Sequence, residues 1–99
     1  MSTAGYHYIR YAPEVFHQLS APQRFQLEES LECVHRWMER DAPPNHWRHI
    51  RPAVEIVISS LMRPENLDHD RLATLMLFKK EVLQAHPDFL FMRYLWYRL

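Results

Sequence analysis

The sequence predicts an all-α fold, a single small domain of four to five helices, and three observations carry that expectation. Leu27, Leu31, Val34 and Met38 recur at intervals of four, three and four, the spacing that lines side chains along one stripe of an α-helix. Prolines stand where helices begin or where connections belong, as at Pro13, Pro22, Pro43 and Pro87. The one β-branched run, Val54 to Ile58, would suit a strand, but the chain offers no convincing second strand to pair with it. With 99 residues, 47% apolar and 24% charged, the chain has the composition and length for one core. Residues 1–99 are read as one helical domain, with residues 1–11 as an N-terminal arm.

The stretch "APEVFHQL" places Pro13 at the start of about two helical turns, with Val15, Phe16 and Leu19 at helical spacing. In "SAPQ", Ser20 and Gln23 have the spacing of a capping box, which opens a helix running to about Arg40. Leu27, Leu31, Val34 and Met38 form its inner stripe, with Glu28, Glu32, Arg36 and Glu39 on other faces. Pro43 and Pro44 in "DAPPN" end it, because neither can continue the hydrogen-bond ladder.

The segment "HWRHIRPAVEIVISSLM" puts Ile50, Val54, Val57, Ile58 and Leu61 on one helical face, and Pro52 either begins its regular part or bends a helix starting near Asn45. Asp68 in "RPENLDHD" is placed to cap the next helix, Asp70 to about Ala85, with Leu72, Leu75, Met76, Val82 and Leu83 expected inward. "HPD" then sets Pro87 in a first turn, with Asp88 near the positive helix end, and the closing eleven residues form about three turns.

Charge and composition exclude several classes of function. Twelve basic and twelve acidic groups give a formal net charge of zero, which argues against a polyanion as the main partner. The single glycine, Gly5, is too few for a phosphate-cradling loop, so P-loop and Rossmann nucleotide sites are excluded. A lone Cys33 makes no internal disulfide, and the N-terminal stretch has no apolar run of signal-peptide length, so a cytoplasmic location is expected. No window is long and apolar enough for a membrane span.

Several constellations fall short of a site. Glu32 and His35 have the Glu-x-x-His spacing of di-iron bundles, but no second copy exists, so a solvated acidic face with a flanking His is the expectation. His46 and His49 lack an indicated third ligand, and Asp68 to Asp70 reads as a helix cap. Cys33 and His35 sit two apart on a helix, about 200° around it, and form no catalytic dyad. "HWRHIR" is the most basic short stretch, but the "DHDR" that would open a recognition helix leads with aspartate. Lys79 lies in an apolar arc, where its stem is expected to cover apolar surface while its amine reaches water. Glu28, Glu29 and Glu32 form a solvated face or a docking surface for a basic partner. No catalytic residue, no metal site and no cofactor is expected.

The strongest signal is the end of the chain, "FLFMRYLWYRL", where five rings accompany only two charges. Arranged as a helix, Arg93 and Arg98 stand about 140° apart and apolar groups fill most of the circumference. Tyr, Trp, Phe, Met and Arg are also the residues enriched at protein interfaces. The expected interaction residues are Phe89, Phe91, Met92, Arg93, Tyr94, Leu95, Trp96 and Tyr97, with Trp96 as an anchor of a homodimer. Completion of the chain's own core and attachment to a membrane surface are the alternatives for this stretch. The expected function is a small cytosolic protein–protein interaction module, a regulator such as an inhibitor, antiactivator, adaptor or chaperone-like protein that occupies a partner's surface. A DNA-binding transcriptional regulator and a small helical enzyme are the alternatives.

Overall fold

Ser20 opens the first helix through the reciprocal bonds its sequence predicts. The Gln23 amide donates to Ser20 Oγ at 3.4 Å, and the Ser20 amide donates to Gln23 Oε1 at 3.0 Å. The computed structural model describes residues 17–62 and 69–99. Four α-helices lie in those residues: α1 (Ala21–Glu39), α2 (Trp47–Leu61), α3 (His69–Val82) and α4 (Phe89–Arg98), with a 3-10 turn at Pro44–His46 before α2. No strand occurs among the described residues. The expected arm, the short helix at Pro13 and the Asp68 cap lie outside them.

Each helix packs on the next along the chain, α1 on α2, α2 on α3 and α3 on α4. Leu27, Leu31, Val34 and Met38 of α1 are all buried in one continuous core with Val54, Val57, Ile58 and Leu61 of α2. The run Val54 to Ile58 is therefore helical, and its branched side chains fill the α1–α2 contact. Pro52 stands inside α2, which begins before it at Trp47. The missing amide leaves the Arg48 carbonyl without its helical donor, and Arg48 is exposed, where water can take that role.

The end of α1 is tighter than its prolines alone require. Ala42 donates its amide to the Trp37 carbonyl at 3.0 Å and Asp41 donates to the Met38 carbonyl at 3.1 Å, the paired bonds of a Schellman motif. The motif needs left-handed backbone, and here it is made without glycine: φ is 62° at Asp41 and 48° at Ala42. Trp37 then holds the following loop, its Nε1 donating to the Pro43 carbonyl at 3.0 Å.

Two details of the second half differ from expectation. In α3 the inward residues are Leu75, Phe78 and Val82, whereas Met76 and Leu83 are exposed. The helix carries two apolar arcs, and the bulkier one with Phe78 meets the core because Phe78 lies against Trp96, with ring centroids 6.4 Å apart. α3 also ends at Val82 rather than near Ala85. At the last helix Asp88, not Pro87, is the boundary residue: Asp88 Oδ1 accepts from the Phe91 amide at 3.1 Å, and Pro87 precedes the cap and is buried. The Asp88 amide donates to Glu81 Oε1 at 2.7 Å, which ties the start of α4 to the end of α3.

Candidate protein-docking site

Packing sorts the eight residues singled out at the chain end into three groups. Met92, Leu95 and Trp96 belong to the protein's own core, and Trp96 is only 1% exposed. Phe89 and Phe91 are half-buried against that core. Phe89 completes a three-ring cluster with Trp37 and Trp47, each pair of centroids 5.5 to 5.7 Å apart. Trp96, the expected interface anchor, is thus covered by the same chain. Its indole Nε1 has no hydrogen-bond partner.

Arg93 is neither buried nor free to reach outward. Its Nε donates to the Met38 carbonyl at 2.8 Å, and its Nη2 lies 3.4 Å from Asp41 Oδ1. The guanidinium meets the negative end of the α1 dipole and the carboxylate of the left-handed turn together. The same group stands over the Tyr97 ring, 5.5 Å from its centroid.

The outward face is made by Leu90, Tyr94 and Tyr97, at i, i+4 and i+7 on α4. Leu90 is 77% exposed, Tyr94 56% and Tyr97 46%, whereas most of the other large apolar side chains among the described residues are buried. Arg98 closes one edge, with Nη1 donating to Tyr94 Oη at 3.0 Å and the guanidinium 5.5 Å above the Tyr94 ring. Phe91 stacks on Tyr94, centroids 6.3 Å apart. These contacts hold the Tyr94 ring in place within the chain itself. The charges lining this face are both positive, Arg93 and Arg98.

No protein-family model matches the chain, and no curated protein or solved structure matches it either.

The remaining candidates take the following places. Cys33 is half-buried in a cleft of about 420 Å³ beside Arg36, Trp37, His46 and Ile50. Burial pushes its thiol above the ordinary value, more than the Arg36 guanidinium draws it down, the opposite of an activated nucleophile. His35 is buried, not on a solvated face, and its Nε2 meets Glu39 Oε1, while Glu32 pairs with Arg36. Each of the two thus has an i, i+4 partner on α1. Among the described residues no three His, Cys, Asp or Glu side chains gather to hold a metal. His46 and His49 are exposed, and Trp47 between them turns to the aromatic cluster. Lys79 is exposed beside Met76, Lys80 and Leu83. No helix among the described residues is long and apolar enough to cross a membrane.

Sequence reasoning missed Leu90 and Arg98, both part of the outward face. The spacing of Leu90, Tyr94 and Tyr97 was the available signal. It was hidden because Met92, Leu95 and Leu99 trace an equally apolar stripe on the opposite side.

Proposed function

We propose that this protein is a small interaction module, a regulator that acts by inserting the outward face of α4 into an apolar groove on a partner protein. The observation that supports this reading is the trio Leu90, Tyr94 and Tyr97, exposed at i, i+4 and i+7 on a helix whose opposite side is locked in the core. That spacing is the one by which a helix presents anchors to a groove. Arg98 flanks the trio, and Arg93 is already held by Asp41 and the Met38 carbonyl, so the groove that fits best carries a carboxylate at the Arg98 edge of its rim. An inhibitor, antiactivator or adaptor needs only such a rigid face, and the capped, clamped helix supplies it without a folding step on binding.

The test places a photo-crosslinking amino acid at position 90 and, as a control, at position 77 on the outer side of α3, in protein expressed in its native cells. One partner protein crosslinked from position 90 and absent from position 77 supports the reading. That crosslink should disappear with Tyr94→Ala while the melting temperature stays within a few degrees. Equal crosslinking from both positions, or a position-90 product unaffected by Tyr94→Ala, overturns it.

A further inference from the structure

The outer face of α1 has an organisation that nothing in the α4 reading uses. Phe25, Glu29, Arg36 and Arg40 fall within an arc of about 60° of that helix, and all four are exposed. Glu29 and Arg36 stand equally far on either side of the point between Glu32 and Cys33, about 5 Å along the axis. Phe25 and Arg40 are likewise equidistant from the same point, about 11 Å away. The face is therefore acidic on one side of its midpoint and basic on the other, with an aromatic knob at the acidic end.

A cleft runs along the same helix from Glu29 to Arg40. Three of its lining residues, Cys33, Trp37 and Ile50, are apolar, and the other five are charged or histidine side chains that include Arg40 and His46. Phe25 at 65% exposure is among the largest apolar side chains left in solvent.

We infer that α1 is the surface through which two copies of this chain pair, antiparallel, about a two-fold axis passing near Cys33. In that arrangement Glu29 meets Arg36 of the second copy, and Arg36 meets Glu29 of the second copy, as a two-fold interface requires. Phe25 reaches the Arg40 end of the second copy's cleft, where its ring lies under the Arg40 guanidinium. A parallel pairing sets Glu29 on Glu29 and Arg36 on Arg36, so charge selects the antiparallel one. The α4 face offers only positive groups and has no such self-complementarity. Arg36 already pairs with Glu32 within the chain, and its guanidinium has further donors for Glu29 of the second copy. The paired face is short, about 22 Å from Phe25 to Arg40, which places the dimer at the weak, concentration-dependent end of specific interfaces.

Cys33 makes the geometry testable, since it is the only cysteine in the chain and sits beside the axis. Full-length protein is treated with a short bis-maleimide at mildly alkaline pH and, in parallel, sedimented over a wide concentration range at low and high salt. A Cys33-to-Cys33 crosslinked dimer is expected, together with an association that weakens in high salt. Glu29→Arg alone and Arg36→Glu alone should each weaken it by about tenfold or more, since each brings like charges together. The double variant, and an equimolar mixture of the two single variants, should recover both the crosslink and the dimer, because the pairs are then reversed or complementary. Thermal melts confirm folding, and Glu29→Gln with Arg36→Gln replaces any reversal that lowers the melt. A protein that is monomeric at every concentration overturns the inference, as does a dimer indifferent to both reversals or one without the Cys33 crosslink. A dimer abolished by Tyr94→Ala but not by Phe25→Ala assigns self-association to α4 and also overturns it. The α4 docking test reads a different face, so the two stand or fall separately.

Discussion

Arg93 on the last helix donates from Nε to the carbonyl of Met38, 55 residues earlier, at 2.8 Å. That carbonyl belongs to the last turn of α1 and also accepts from the Asp41 amide, so one side chain closes the end of α1 and fixes the position of α4. The helix so held is the one that leaves Leu90, Tyr94 and Tyr97 exposed. Replacing Arg93 with Ala should cost about 1 to 2 kcal/mol, the range for a hydrogen bond from a charged group with a partly exposed ion pair beside it. Arg93→Lys should recover only part of it, because an ammonium does not span carbonyl and carboxylate as a planar fork does. Denaturant unfolding of the three proteins checks this, and equal stability of Arg93→Ala and wild type would refute the clamp.

The turn after α1 makes a second prediction. Ala42 holds φ at 48° and is buried against the core. Ala42→Val should cost about 2 kcal/mol or more, since a β-branched side chain adds both left-handed strain and volume in a packed site. Ala42→Gly should fall within about 0.5 kcal/mol of wild type, relief of strain offsetting the lost methyl and the freer unfolded chain. The two variants separate conformation from packing in one melting experiment.

Trp96 tests whether the chain end is core. Trp96→Ala should lose about 3 to 5 kcal/mol, as for other buried aromatic truncations. Trp96→Phe should lose only about 1 kcal/mol, because it keeps most of the contact with Phe78 and removes a buried indole N–H that has no acceptor. A Trp96→Phe variant as damaged as Trp96→Ala would show that the indole nitrogen is bonded in solution.

The Cys33 thiol sets a pH dependence whose sign follows from its burial. Its value in the folded state is raised above the ordinary 9.0, so the unfolded chain ionises first as pH rises. The folded state then binds more protons than the unfolded state, and stability, fully present below about pH 9, falls as pH climbs through the folded value. Cys33→Ser should flatten the alkaline limb of a stability-against-pH curve. Alkylation of native Cys33 near neutral pH should be slower than in the denatured chain.

What the sequence alone determined is local. The Ser20–Gln23 capping box, the stripe Leu27, Leu31, Val34 and Met38, and the stop before Pro43 depend on residues within a turn or two of each other, so spacing suffices to read them. The helical state of Val54 to Ile58 was legible for a related reason, the want of a pairing strand. Where two faces of one helix were equally apolar, sequence had no means of choosing. In α3 the arc of Leu75, Phe78 and Val82 went inward and that of Met76 and Leu83 outward; in α4 Met92, Leu95 and Trp96 went inward while Leu90, Tyr94 and Tyr97 stayed in water. Those choices rest on contacts between distant segments, Phe78 on Trp96, Phe89 on Trp37 and Arg93 on Met38. Periodicity records that a residue is apolar and where it lies around its own axis, whereas burial depends on the neighbour that arrives, and only the tertiary structure supplies that neighbour.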